Sequence, residues 1–127
     1  MLENKSDLIK YRIKRANETI QEIDTLLELK YYHTAANRLY YSCFYAISAL
    51  LLKDDLLIKT HKGIRNQFAL KYINTGIISE QLGDYFNEIF QYRQTGDYDD
   101  LIEIDEETIL KLYEPAKKLI EEIGKLV

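Results

Sequence analysis

An uncharged run of 14 residues, from Leu39 to Leu52, constrains the fold of this chain more than any other feature. The run is too short to cross a bilayer as a helix, and its length suits a buried helix. At helical spacing, the helix that contains it carries two apolar faces, formed by Ala36, Tyr40, Cys43, Ile47 and Leu50, and by Tyr41, Tyr45, Ser48 and Leu52. Such a helix must be covered on more than one side. The sequence therefore predicts a helix that is central in the fold or that also contacts a second subunit.

Apolar stripes with alternating steps of three and four residues predict further helices around this one. The chain contains only one Pro and five Gly, so it offers little turn chemistry and should be helical throughout. We expect five helices, over residues 4–30, 34–53, 61–75, 80–95 and the stretch that follows Asp105. Thr60, Ser79 and Asp105 are suited to cap the last three. The predicted fold is all-α, a five-helix up-and-down bundle that forms a single domain over residues 1–127.

Bulk composition excludes several classes of function. The formal net charge of -4 argues against a protein that coats nucleic acid, so we expect no DNA partner. The N-terminal residues lack the apolar region of a signal peptide, and we expect no association with a membrane. A single cysteine, Cys43, favours a reducing, cytoplasmic location. One cysteine and two histidines are too few for a zinc site, and glycine-rich nucleotide loops are absent, so we expect neither a metal nor a cofactor.

An arginine ends an apolar stripe on the fourth predicted helix. Arg93 follows, at helical spacing, a face made of Leu82, Phe86 and Ile89. A cation that faces a core requires a counter-charge, a ligand or solvent. Gly96 is suited to end the helix, and Asp97 is the next acceptor along the chain. Two interpretations stay open, a salt-bridged helix end and an arginine that contacts a phosphate.

The third predicted helix is basic within an acidic chain. Residues 59–71 include four bases and no acid, a pattern that suits either a solvated face or a small anion site with His61 and Arg65. Antiparallel packing of consecutive helices would bring His61 close to Arg93. His61 is either the polar end of an apolar stripe or a functional neutral imidazole, because the helix N-terminus disfavours the imidazolium.

Tyrosine is unusually frequent, with eleven in the chain. We interpret Tyr41 and Tyr45, on the second face of the uncharged helix, as core and interface aromatics rather than as base-stacking residues. Arg38 precedes Tyr41 by about one turn and could pair with a carboxylate or contact a partner subunit. Together with the two apolar faces, these residues predict a homodimer.

Three blocks of sequence, in this order, resemble the HEPN domain family (higher eukaryotes and prokaryotes nucleotide-binding). They are residues 36–46 (ANRLYYSCFYA), residues 59–63 (KTHKG) with Phe68 and residues 75–78 (TGII), and residues 93–99 (RQTGDYD). The resemblance covers nearly the whole chain and implies a five-helix fold that usually dimerises. It also implies frequent encoding beside a minimal nucleotidyltransferase, as a toxin–antitoxin or related two-component system.

The chain departs from the ribonucleases that it resembles. Those members carry an Arg, four to six further residues and a His near the end of the fourth helix, whereas Tyr98, Asp99 and Asp100 stand at the relevant offsets after Arg93. The chain is closer to the subgroup with an Arg-x-x-x-Asp-Tyr segment, for which the resemblance implies nucleotide or partner binding rather than RNA cleavage.

Two functions follow from these residues. The first is a binding module for a nucleotide or a nucleotidyltransferase partner, in which Arg93 holds a phosphate and Asp97 orients Arg93. His61, Arg65 and Tyr98 would line its pocket. The second is a metal-independent ribonuclease toxin acting on RNA, with His61 as the base and Arg93 stabilising charge on the scissile phosphate. A purely structural role for these residues is a third interpretation.

Overall fold

The described part of the chain is built from helices and contains no strand. The computed structural model describes residues 4–98 and 103–127, and for residues 94–98 only the backbone. The helices are α1 (Lys5–Gln21), α2 (Ile23–Glu28), α3 (Tyr32–Lys53), α4 (His61–Phe68), α5 (Glu80–Tyr98) and α6 (Glu106–Gly124). A π-helical turn, Ala69–Ile73, continues α4 directly. The prediction of an all-α fold is confirmed.

The uncharged helix α3 is the centre of the bundle and packs against α1, α2, α4, α5 and α6. Its first apolar face is buried throughout. On the second face Ser48 and Leu52 are also buried by the chain itself, while Tyr41 and Tyr45 remain half-buried. The chain therefore covers much of the second face, and two tyrosines are what is left of it for another partner.

The first predicted helix is not continuous. It is divided at Glu22, whose backbone N–H bonds to the Thr19 carbonyl three residues back, a tighter turn than the α-helical one. The Glu22 carboxylate accepts a hydrogen bond from Nε of Arg38 at 2.9 Å. The prediction of one continuous helix over residues 4–30 is therefore wrong. Lys30, two residues after the end of α2, has a φ of 61°, and α3 begins two residues earlier than expected.

The three predicted helix caps are confirmed. Oγ1 of Thr60 accepts from the Gly63 N–H at 2.9 Å, and the Asp105 carboxylate accepts from the Thr108 N–H at 2.9 Å. Oγ of Ser79 accepts from the Leu82 N–H at 3.3 Å. Each satisfies one of the backbone donors that a helix N-terminus leaves without a partner.

The predicted end of the fourth helix at Gly96 is wrong, because α5 continues through it to Tyr98. Glycine lowers the stability of a helix interior by only about 0.5–1 kcal/mol, so flanking residues can carry a helix past it. The consequence for the site is that positions 93 and 97 lie one turn apart on a single helix. The side chains of Asp97 and Tyr98, which the sequence placed in the binding site, lie outside the described residues, as do Asp99 and Asp100.

The connection between α3 and α4 runs back along α3. After a turn at Asp55, which has a φ of 63°, residues 56–59 form no regular structure, and Leu56 and Ile58 pack against the core. The connection delivers His61 to Tyr40, which is 13 residues before the end of α3. That is about 20 Å of helix axis, a distance that seven extended residues can span, since each reaches about 3.3 Å. The N-terminus of α4 therefore lies against the middle of α3.

Among the described helices, none has both the length and the apolar character that crossing a bilayer requires.

Candidate anion-binding site

His61 is held in place by rings of α3. It is the first residue of α4, directly after the capping Thr60. Its imidazole stacks on Phe44 with ring centroids 4.4 Å apart and an interplanar angle of 22°. It also lies 5.7 Å from the Tyr40 ring and 5.9 Å from the Tyr41 ring. The half-buried imidazole therefore has little freedom to turn.

One nitrogen of His61 is fixed by a buried hydroxyl. The Tyr40 Oη lies 2.8 Å from Nδ1 of His61, and Tyr40 is fully buried. The Tyr40 ring also stacks on Phe86 of α5, with centroids 5.7 Å apart. Burial raises the pKa of the Tyr40 hydroxyl well above its usual range, so this group stays protonated at every physiological pH.

Arg93 reaches the same two tyrosines from α5. Its Nη2 donates to the Tyr41 hydroxyl at 3.3 Å. Its Cζ lies 5.6 Å from the centroid of Tyr40 and 5.7 Å from that of Tyr41, within the range of a cation–π interaction. The proximity that the topology predicted for His61 and Arg93 is therefore present, and both residues contact the same pair of rings.

His61 and Arg93, with the two tyrosine rings that they share, form a cluster whose electrostatics favour a neutral imidazole. Burial lowers the pKa of His61, and the positive charge of Arg93 lowers it further. The cluster thus pairs one permanent cation with one neutral ring. Such a pair attracts an anion and adds no second charge whose desolvation would be costly.

Arg65 belongs to a neighbouring site. It lies about one turn after His61 on α4, and its Cζ is 4.5 Å from the centroid of Phe90. It lines a cavity of about 390 Å³ between α4, the π-helical turn and α5, whose lining includes neither His61 nor Arg93. The predicted binding residues with described side chains therefore divide into two groups. His61 and Arg93 contact the tyrosine rings, and Arg65 lines the neighbouring cavity.

The predicted interface residues adjoin this cluster. Tyr41 contacts both His61 and Arg93, and its ring centroid is 6.2 Å from that of Tyr45. Arg15 of α1 covers the Tyr45 ring at 5.4 Å. Arg38, which could have contacted a second subunit, forms an ion pair with Glu22 of its own chain at 2.9 Å.

Among the described residues, Cys43 does not add a thiolate nucleophile to the groups around His61 and Arg93. Cys43 is fully buried, and burial raises the pKa of its thiol to about 12, so it stays protonated. What the described side chains offer together is one cation, one imidazole and an aromatic surface. These groups suit a phosphate or another small oxyanion, with a ring system stacked beside it.

From the sequence, Tyr40 was expected in the core and Phe44 was given no part in the site, although the rings of both pack against His61. Both lie on α3 at a spacing of four residues, which places two aromatic rings on one face. That spacing is the signal that could have identified them. It did not, because an aromatic pair at this spacing is equally typical of a packed core.

Comparisons with known proteins agree with this architecture. Residues 9–126 match the model of the HEPN domain. A protein of Thermotoga maritima named "UPF0332 protein" is 35% identical over 99% of this chain and 96% of its own length. Two proteins of Methanocaldococcus jannaschii are named "Putative toxin". One is 39% identical over 75% of this chain and 65% of its own length, and the other is 33% identical over 89% and 84%.

Proposed function

We propose, because this chain belongs to the HEPN domain family, that it is a nucleotide- or partner-binding module. It would act in the cytoplasm as one half of a toxin–antitoxin-like pair, with a minimal nucleotidyltransferase as the other half. The observation that supports this most is the joint placement of His61 and Arg93 on the rings of Tyr40 and Tyr41. The names of the two Methanocaldococcus relatives support the toxin–antitoxin context.

In this proposal Arg93 holds a phosphate of the ligand. Its guanidinium is positioned by two rings rather than left to move freely, so less side-chain entropy is lost when the phosphate binds. His61 lies beside the same phosphate, and Arg65 adds positive potential from the next turn of α4. Asp97 would orient Arg93 and Tyr98 would line the pocket, as the sequence predicts; they follow Arg93 by four and five residues on α5.

The chain would act as a homodimer. Tyr41 and Tyr45 are the half-buried part of the second face of α3, and aromatic residues of this kind are enriched at subunit contacts. Because Tyr41 touches both His61 and Arg93, a dimer formed over these tyrosines would bring the partner subunit to the edge of the ligand site. Arg38 would lie near the rim of that contact.

The ligand site is tested by titration. ATP is titrated into the wild-type protein and into Arg93→Ala. Arg15→Ala is the matched control, because Arg15 also covers a tyrosine ring, that of Tyr45, which is not one of the rings found against His61. We expect Arg93→Ala to weaken binding about tenfold or more, as the loss of a charged hydrogen bond does, and Arg15→Ala to leave it unchanged. Equal affinity in all three proteins would refute the site.

The partner is tested through the neighbouring reading frame. A small protein encoded there, with Gly-Ser followed by Asp-x-Asp, should co-purify with this chain in a fixed ratio. If such a protein is present but does not bind, the two-component role is refuted.

The second candidate is a metal-independent ribonuclease toxin. The lowered pKa of His61 favours it, since a general base must be neutral to accept the proton of a ribose hydroxyl. Arg93 would stabilise the charge that develops on the phosphate. Against it stands the hydrogen bond to Nδ1, which occupies one of the two nitrogens that could serve as the base.

A further inference from the structure

We propose that Tyr40 is a positioning residue that holds His61 as the tautomer protonated on Nε2, so that His61 donates a hydrogen bond to a phosphoryl oxygen and does not act as a base. The assignment of a phosphate as the ligand rests on the proposed function. The role of Tyr40 rests on the free protein and requires no ligand.

The hydrogen bond of Tyr40 has a direction. A fully buried hydroxyl requires an acceptor for its proton, because leaving a buried donor without one costs about 1–3 kcal/mol. Among the described residues, the acceptor within reach of the Tyr40 hydroxyl is Nδ1 of His61, at 2.8 Å. The hydroxyl therefore donates and Nδ1 accepts, which requires Nδ1 to carry no proton.

A neutral imidazole without a proton on Nδ1 carries it on Nε2. The neutral state is favoured because burial and the charge of Arg93 both lower the pKa of His61. No hydrogen bond from Nε2 to another described residue is present, so this donor is available to a ligand. The stack on Phe44 at 4.4 Å fixes the plane of the ring and therefore the direction of the N–H.

The same geometry selects the ligand chemistry. The Nε2–H group of His61 and the guanidinium of Arg93 are both hydrogen-bond donors, which match the oxygens of a phosphoryl group. A general base needs a free lone pair on the imidazole, and here Tyr40 occupies the lone pair of Nδ1. His61 can therefore bind a phosphate while being unable to start RNA cleavage.

The tautomer is measured directly by nitrogen-15 NMR of the histidine rings in the wild-type protein, at a pH above the pKa of His61. We expect one tautomer, with its proton on Nε2, and a correlation between the Tyr40 hydroxyl proton and Nδ1. In Tyr40→Phe, which keeps the ring stacked on Phe86, we expect both tautomers to be populated. A proton on Nδ1 in the wild type would overturn the proposal, and so would unchanged tautomer populations in folded Tyr40→Phe. Should Tyr40→Phe not fold, the hydroxyl correlation in the wild type decides the same question, and its absence counts against Tyr40.

A pair of amide variants separates a donor from a base. The side-chain nitrogen of Gln reaches the position of the imidazole Nε2, whereas Asn reaches only that of Nδ1. In titrations with inorganic phosphate we expect His61→Gln to bind within about twofold of wild type, and His61→Asn to lose about tenfold, the effect of one charged hydrogen bond. Equal losses in both variants would overturn the donor role.

The proposed function and the role of Tyr40 are tested separately. If wild-type protein bound neither inorganic phosphate nor ATP, the proposed function would be refuted, and the NMR result would still decide the role of Tyr40. If phosphate bound normally but the proton of His61 were on Nδ1, the inference about Tyr40 would be refuted and the anion site would stand.

Discussion

Gly83 of α5 lies directly against Ile73 of the π-helical turn: a Cβ at Gly83 would be 2.8 Å from Cγ2 of Ile73 and 3.0 Å from its Cγ1. The β-branched Ile73 has few alternative rotamers in a helical backbone, so it cannot easily move aside. The close approach of α5 to this turn depends on the absence of a side chain at position 83.

We expect Gly83→Ala to lower the free energy of unfolding. Overpacking costs about 1–3 kcal/mol, which exceeds the gain of at most about 1 kcal/mol from replacing a helical glycine. Urea unfolding measures the difference. Gly124→Ala is the matched control, because a Cβ there meets nothing within 4 Å, and we expect it to be neutral or slightly stabilising. A Gly83→Ala protein as stable as Gly124→Ala would show that Ile73 yields to the added methyl group.

The charge state of His61 predicts a pH dependence of stability. Because the folded state lowers the pKa of His61, the unfolded chain takes up the proton at higher pH than the folded one. The associated stability is complete above about pH 6.5, the usual pKa of histidine, and is lost as the pH falls toward the folded pKa. His61→Gln should therefore unfold with a flatter profile below that pH in thermal melts. His33→Gln, at an exposed position in the first turn of α3, should follow the wild-type profile.

We expect Arg93 and Asp97 to behave as a coupled pair. The helical backbone places them one turn apart, a spacing at which an arginine and a carboxylate can meet. Removal of one charge leaves the other unbalanced, so the double variant Arg93→Ala/Asp97→Ala should be more stable than the sum of the single effects predicts. Denaturant unfolding of the four proteins gives the coupling energy. Strict additivity would mean that Asp97 has no part in holding Arg93.

We expect a dimer in solution, formed over Tyr41 and Tyr45. Light scattering coupled to size exclusion measures the mass directly. Tyr45→Glu should shift the protein toward the monomer, whereas Tyr31→Glu should not, since Tyr31 is an exposed tyrosine before the first turn of α3. A wild-type monomer that persists at about tens of micromolar, where obligate dimers stay associated, would refute the dimer.

Purified protein should not cleave RNA above background, and cells should tolerate its expression without a partner. The physical reason is that His61 donates through one nitrogen and accepts from Tyr40 at the other, so its imidazole cannot take the proton of a ribose hydroxyl. Cleavage that His61→Ala abolishes and His33→Ala retains would establish the ribonuclease instead. Cleavage unchanged in both variants would indicate a contaminating nuclease.

The helices and caps of this fold could be predicted from local chemistry. Thr60 and Asp105 cap their helices because an oxygen-bearing side chain before an apolar stripe satisfies backbone donors wherever it occurs. The break at Glu22 could not be predicted in the same way. It accompanies an ion pair with Arg38, a residue on another helix, and stripe periodicity contains no information about such a contact.

Only part of the candidate site could be predicted, namely the proximity of His61 and Arg93 at one end of their helices. His61 and Arg93 stood out because each placed a polar group on an apolar stripe. Tyr40 did not, since helical periodicity cannot distinguish a tyrosine buried for packing from one buried to orient an imidazole. The π-helical turn after Phe68 could likewise not be predicted from the sequence, because its apolar spacing is compatible with an ordinary α-helix.

The connection over residues 56–59 sets the position of His61 along α3. Its length sets how far back along α3 the ring of His61 is delivered, and one extended residue covers about 3.3 Å while one helical residue covers about 1.5 Å. Deleting a single residue there would move His61 by about two residues along α3, and a hydrogen bond such as that to Tyr40 tolerates only a few tenths of an ångström. Relatives could vary this surface segment in sequence without harm to the site, whereas a change in its length would separate the imidazole from its hydroxyl while leaving the bundle intact.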